Sequence, residues 1–226
     1  MVTSRSAACG ANTRSGLRGL YAITPDWADT RRLITVSEAI LAGGCRILQY
    51  RNKSASDCHR QEQGVALRGL TRRFDALLII NDDADLALFT EADGAHLGEE
   101  DGELAAARAR MGRGAILGAS CYQSLDLARR LAKSAARAGA DYLAFGSFFA
   151  SPTKPLARRA DPALLNAARR EFGLPVCAIG GITLDNAASL LAAGADMLAV
   201  ISALYDAADP QRATERFIQL FEDNTP

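Results

Sequence analysis

Short runs of β-branched and other apolar residues alternate along the chain with longer Ala-, Leu- and Arg-rich stretches of helical period. The short runs predict strands at Leu20–Thr24, Arg46–Arg51, Leu77–Asp82, Gly94–Gly98, Ala115–Ser120, Tyr142–Phe148, Val176–Gly180 and Met197–Ser202. The stretches after them predict helices near Asp29–Leu41, Ala55–Phe74, Ala84–Thr90, Gly102–Met111, Leu125–Ala138, Pro162–Phe172, Leu184–Ala193 and Pro210–Phe221. Eight consecutive βα units with right-handed crossovers have one common closed solution, the (β/α)8 TIM barrel, an α/β fold whose functional residues lie just after the strands. An open doubly wound sheet would ordinarily announce a GxGxxG turn after its first strand, and here that strand runs into Ile23-Thr24-Pro25-Asp26. A repeated helix-to-strand junction supports the count. AGGCRIL at 42, ADGAHL at 92, AGADYLAF at 138 and AGADMLAV at 193 each place glycine where a helix end calls for a left-handed residue.

Length agrees, since 226 residues suit one such barrel. Residues 1–16 lack a long apolar stretch and read as a disordered extension, leaving 17–226 for the barrel. Twenty-six Lys and Arg balance 26 Asp and Glu, so no global field favours nucleic acid or an anionic membrane, and a small anion held by local charge is the better expectation. Five scattered cysteines without a CxxC pair suit a reducing cytoplasm rather than a disulfide framework or a zinc ribbon. The most apolar run, Ala187–Tyr205, is interrupted by Gly194 and Asp196 and divides into a helix, a turn and a strand rather than a membrane span. Small-molecule partners are expected, with no nucleic acid and no membrane, and self-association stays open.

The chemistry gathers at the predicted strand ends. After the second strand, Gln49 and Arg51 share a face and Lys53 follows, two cations and an amide suited to phosphate oxygens, or else a solvated strand end. Asn81-Asp82-Asp83 and His96-Leu97-Gly98-Glu99-Glu100-Asp101 bring acids to neighbouring loops. Asp82 and Asp101 could supply hard oxygens to Mg2+, while Asp83 and Asp101 precede helices and could equally cap them. Ser120 ends the fifth strand. Cys121 has no histidine near it in sequence, His59 falls on a helix away from the mouth, and His96 reads as a packed strand residue rather than a base. The connection Phe149–Asp161 is long for an α/β unit and carries Ser151, Pro152, Thr153 and Lys154, an anion clamp or a surface loop, with the length of a lid. Gly180-Gly181 and Ile201-Ser202 follow the seventh and eighth strands, where such barrels often cup a phosphate.

Taken together, YAIT, QYRNK, NDDADLA, GAHLG-x-x-D, LGAS, SPTK, AIGGIT and VIS resemble the thiamine-phosphate synthase family, in order and over nearly the whole chain from about Leu20. The resemblance implies an enzyme that joins 4-amino-2-methyl-5-hydroxymethylpyrimidine diphosphate to a plain or carboxylated thiazole phosphate, releasing diphosphate with Mg2+ as cofactor. It implies that Gln49, Tyr50, Arg51, Asn52, Lys53, Asn81, Ser120 and Lys154 bind the pyrimidine diphosphate, with Arg51, Ser120 and Lys154 closest to the chemistry. Asp82 and Asp101 would hold the metal, and Ser151, Pro152, Thr153, Gly181, Ile201 and Ser202 the thiazole phosphate. Glu99, Ser151 and Tyr122 stand where the family commonly has Gln, Thr and His. Tyr122 also occupies the place of the imidazole base in the related thiazole tautomerase, one alternative. A non-catalytic barrel that binds thiazole or thiamine phosphate is the other.

Overall fold

The computed structural model describes residues 17–98, 104–132, 139–150 and 158–224. Eight parallel strands, β1 (Gly19–Ile23), β2 (Ile47–Tyr50), β3 (Leu77–Asn81), β4 (Gly94–Leu97), β5 (Ile116–Tyr122), β6 (Tyr142–Gly146), β7 (Val176–Ile179) and β8 (Met197–Val200), close in sequence order, β8 pairing back onto β1. Helices α1 (Thr30–Ala42), α2 (Asp57–Arg73), α3 (Ala84–Phe89), α4 (Leu104–Met111), α5 (Leu125–Ala132), α6 (Ala163–Phe172) and α7 (Leu184–Ala192) form the outer layer, completed by α8 (Ser202–Tyr205) and α9 (Pro210–Asp223). This is the predicted (β/α)8 barrel. The short α8 was not expected from the sequence, since four residues are too few to show a helical period.

Alternation along each strand divides the apolar residues between two cores. Outward positions such as Leu48, Leu78, Leu117, Leu143 and Leu198 pack against the helices, and inward ones, among them Ile47, Ile79, Ile116, Cys177 and Met197, fill the barrel itself. Several helices start where their sequences place a cap. Asp29, Asp83 and Asp209 accept the backbone N–H three residues on, and Asp209 is followed by Pro210 in the first turn.

The repeated junction has a different content from the one expected. Gly44 and Gly194 are left-handed, at φ 103° and 99°, whereas Gly43 is not, at φ −71°. Gly94 is needed for room instead, because a Cβ there would lie 1.9 Å from Ile116 O. The aspartates of the junction carry the shared structural role. Asp93, Asp141 and Asp196, each just before an even-numbered strand, accept the N–H of Leu78, Leu117 and Val176 at the start of the preceding strand, at 2.8, 2.8 and 2.9 Å. Each also meets an arginine from an even-numbered helix, Arg68 at 2.7 Å, Arg108 at 2.6 Å and Arg169 at 3.5 Å. These fastenings sit at the face of the barrel opposite its mouth.

Candidate active site

A cavity of about 740 Å³ opens at the C-terminal ends of the strands and descends between them to Tyr21, His96 and Cys177. That volume suits a small-molecule ligand. Gln49, Arg51, Lys53, Asn81, Asp82, Ser120, Gly181, Ile201 and Ser202 all line it, so nine residues singled out in the sequence converge on one space.

On the β2–β3 side the cations are already oriented. Arg51 donates to Asp26 Oδ1 at 2.7 Å, and the same oxygen accepts the Lys53 N–H at 3.0 Å. Thr24 ties the loop from below, its hydroxyl donating to Arg51 O and accepting Arg51 N–H, both at 2.8 Å. Lys53 Nζ lies 2.7 Å from Asp82 Oδ2. Asp82 adopts φ 62°, a left-handed conformation that costs a side-chain-bearing residue about 1–2 kcal/mol, so its geometry is imposed by its surroundings, including the bond from its N–H to His96 O at 2.8 Å.

Two predicted contacts are not at this mouth. Tyr50 points outward, buried against the helices, with its hydroxyl donating to Gln63 Oε1 at 2.8 Å. The Asn52 amide donates to Trp27 O and Gln63 Oε1, and its oxygen accepts Ser54 and Ala55 N–H, so its bonding groups are used in holding its loop against α2 and the connection after β1. Both residues line a side cavity of about 290 Å³ behind Asn81. Strand alternation sends Tyr50 to the face opposite Gln49 and Arg51.

Opposite, Gly180 and Gly181 are left-handed, at φ 107° and 62°, and a side chain on either would force its neighbours to shift. A Cβ on Gly181 would stand 2.2 Å from Ala150 O, and one on Gly180 would stand 1.9 Å from Ser147 Oγ. The Asn186 amide then donates to Gly181 O at 3.0 Å and its oxygen accepts Thr183 N–H at 2.9 Å, fixing the turn into α7. The connection after β6 is anchored on the same turn, Phe149 N–H donating to Gly180 O at 3.0 Å, and Gln123 donates to Gly146 O and Arg158 O on its two limbs. The predicted Asp101, Ser151, Pro152, Thr153 and Lys154 lie outside the described residues, as does the middle of the expected lid, residues 151–157.

The sequence reading missed the floor of the cavity. His96 is not packed in apolar surroundings. Its Nδ1 lies 2.9 Å from the Tyr142 hydroxyl and its Nε2 2.9 Å from Ser120 Oγ, and Tyr142 in turn meets Tyr21, which accepts from Gln49 Nε2 at 2.7 Å. Burial lowers the His96 pKa to about 4, so the imidazole is neutral near pH 7. The signal available in sequence was alternation alone: His96, Ser120 and Tyr142 each fall on inward positions of adjacent strands. Asp26 was missed as well, although it stands directly after the first strand.

Thiol and histidine chemistry elsewhere is weak. The Cys121 thiol is buried and pushed up to about 12 by that burial, and His59 Nε2 bonds Ala28 O at the surface of α2. Among the described residues there is no group of three or more His, Cys, Asp or Glu that could hold a metal. A Mg2+ ion needs less when phosphates and water complete its shell, and the Asp82 carboxylate supplies the right hard oxygen at the mouth. No helix among the described residues is long and apolar enough to cross a membrane.

The family model of thiamine monophosphate synthase matches residues 20–204. The chain is 58% identical over 205 residues to the thiamine-phosphate synthase of Methylobacillus flagellatus, covering 91% of this chain and 96% of that one. It is 54% identical over 203 residues to the thiamine-phosphate synthase of Thiobacillus denitrificans, covering 90% and 94%. Among solved structures it is similar to a thiamine phosphate pyrophosphorylase from Pyrococcus furiosus, with a TM-score of 0.82 at 38% identity over 95% of this chain and all of the other.

Proposed function

The chain belongs to the thiamine-phosphate synthase family, and on that premise we propose how its mouth carries out the family's reaction. The enzyme is a transferase of thiamine biosynthesis that condenses 4-amino-2-methyl-5-hydroxymethylpyrimidine diphosphate with thiazole phosphate to thiamine phosphate and diphosphate. The observation that carries the division of labour is the placement of Arg51 and Lys53 on one side of a single cavity and the Gly180-Gly181 turn across it.

The pyrimidine diphosphate takes the β2–β5 side. Arg51, already aimed by Asp26, and Lys53 meet the diphosphate oxygens, with Gln49, Asn81 and Ser120 along the same wall and Lys154 joining them. Asp82 and Asp101 would hold Mg2+, which when bound would neutralise charge on the departing diphosphate. Gly181, Ile201 and Ser202, with Ser151, Pro152 and Thr153, receive the thiazole phosphate, the glycine allowing backbone to approach an oxygen closely.

The C–O bond between methylene and diphosphate breaks with its electron pair leaving on oxygen, and the thiazole nitrogen lone pair forms the new C–N bond. No base is needed, in keeping with a neutral His96 and a buried Cys121. The protein's task is to stabilise negative charge on the leaving group, for which Arg51 and Lys154 are suited. A cytoplasmic setting accords with the free thiols of Cys45, Cys58, Cys121 and Cys177. The test is diphosphate release by purified protein with Mg2+. Release that requires both substrates supports this reading, whereas metal-independent thiazole isomerisation, or saturable binding without turnover, refutes it.

A further inference from the structure

Five side chains form one hydrogen-bonded chain at and just beneath the floor of the cavity, Gln49, Tyr21, Tyr142, His96 and Ser120, with successive distances of 2.7, 2.8, 2.9 and 2.9 Å. Its direction follows from counting protons. Gln49 enters through Nε2, which only donates, so Tyr21 accepts there and its own proton must go to Tyr142, the remaining partner in a buried site. Tyr142, having accepted, donates to His96 Nδ1. Because Nδ1 accepts that proton, the N–H of the ring is at Nε2, and it goes to Ser120 Oγ. Ser120 is thereby left with its hydroxyl proton unused, and it lines the cavity.

We propose that Tyr142 is a positioning residue for the reaction: acting through His96, it fixes the Ser120 hydroxyl as a hydrogen-bond donor toward the cavity. A donor is matched to a diphosphate, whose ionised oxygens only accept, so the inference rests on the reading that this wall binds the pyrimidine diphosphate. Tyr142 itself does not line the cavity. The crossing is built into the strands, because a Cβ on Gly118 of β5 would lie 2.3 Å from the Tyr142 hydroxyl and 2.5 Å from His96 Nδ1. Glycine at 118 is what lets tyrosine and histidine meet above β5.

The first measurement needs no variant and no turnover. The chain has two histidines, so a long-range 1H–15N spectrum of labelled protein, assigned with His59→Gln, reads the His96 tautomer directly. The Nε2–H form is expected, and an Nδ1–H form overturns the proposal, since Ser120 would then donate inward and offer lone pairs to the ligand. Tyr142→Phe should release the lock, giving averaged His96 nitrogen shifts. In the same variant kcat should fall about tenfold, the scale of one lost hydrogen bond, with the KM for thiazole phosphate unchanged. In a Ser120→Ala background Tyr142→Phe should cost nothing further, and losses that multiply would show that Tyr142 does not act through Ser120. Failure of wild-type turnover would refute the functional reading alone, because the tautomer is read on the resting protein.

Discussion

The Asp26 carboxylate grips the Arg51 guanidinium at 2.7 Å, and the same oxygen accepts the backbone N–H of Lys53 at 3.0 Å. One acid from the first loop therefore aims the Arg51 guanidinium and holds the backbone that carries Lys53, whose ammonium is met by Asp82. Charge is present without Asp26, but its aim is not. Asp26→Ala should raise the KM for pyrimidine diphosphate about three- to tenfold, corresponding to one oriented hydrogen bond, and leave the KM for thiazole phosphate unchanged. Steady-state kinetics with each substrate varied in turn decide it, and equal changes in both constants would count against the assignment.

The left-handed backbone at Asp82 determines which substitution tests the metal site cleanly. Alanine would combine loss of charge with backbone strain, whereas asparagine tolerates φ 62° and removes only the charge. Asp82→Asn and Asp101→Ala should each lower turnover by orders of magnitude, with thermal midpoints near that of the wild type for Asp82→Asn. Chelation with EDTA should abolish wild-type turnover and added Mg2+ restore it. Full activity in EDTA would exclude a required metal.

Gly181 gives a prediction that the sequence alone would have stated differently. A side chain there would obstruct the phosphate proposed to bind at this turn, but it would also meet Ala150 O at 2.2 Å and sit at φ 62°. Gly181→Ala should therefore raise the KM for thiazole phosphate and lower stability together, the strain alone costing about 1–2 kcal/mol. Urea titration and kinetics on one preparation separate the two effects. A raised KM at wild-type stability would mean the backbone adapts without cost.

Keeping His96 neutral makes stability depend on acidity. Its pKa falls from 6.5 when unfolded to about 4 when buried, so between these values the unfolded chain binds more protons. The contribution is complete above about pH 6.5 and is lost as pH falls toward 4, amounting to at most about 3 kcal/mol. Urea midpoints from pH 7 to pH 4.5 should fall more steeply for the wild type than for His96→Gln. Parallel slopes would mean that burial does not depress this group.

The Asp141–Arg108 pair should behave unlike anything at the mouth. Both side chains are 6% exposed, and Arg108 also donates to Ala115 O and Gly139 O. Arg108→Met takes the counter-charge from a buried carboxylate and should cost about 3–5 kcal/mol, with kinetics at low temperature unaltered. Arg169→Met, whose arginine is 58% exposed, should cost far less. Calorimetry of the two variants gives the comparison.

The barrel was legible because each of its eight units states its own strand and helix locally, and topology rules leave little choice in closing them. Convergence of Arg51, Asp82, Ser120 and Gly181 followed from their shared position at or just after the C-terminal ends of strands. Alternation also held the answer for Tyr50, which faces outward because Gln49 and Arg51 face in. What could not be read were relationships fixed only by closure. Tyr21 and Tyr142 are 121 residues apart and meet inside the barrel, so His96 looked like packing until Ser120 and Tyr142 were set on either side of it. The left-handed turn at Asp82 was likewise hidden, since nothing local requires it of an aspartate.

Each floor fastening joins a helix to the two strands that follow it: Arg68 through Leu78 to Asp93, Arg108 through Leu117 to Asp141, Arg169 through Val176 to Asp196. The stretches from Asp93 to Arg108 and from Asp141 to Arg169 are spanned by none of them. Those same stretches carry the connections after β4 and β6, where the chain places Asp101 and the Ser151–Lys154 segment. New chain ends made by circular permutation, or a guest sequence inserted in either connection, would leave all three fastenings within unbroken stretches of chain. Rim and floor can then be revised separately, so loops that choose a substrate are free to diverge while the scaffold that closes the barrel stays as it is.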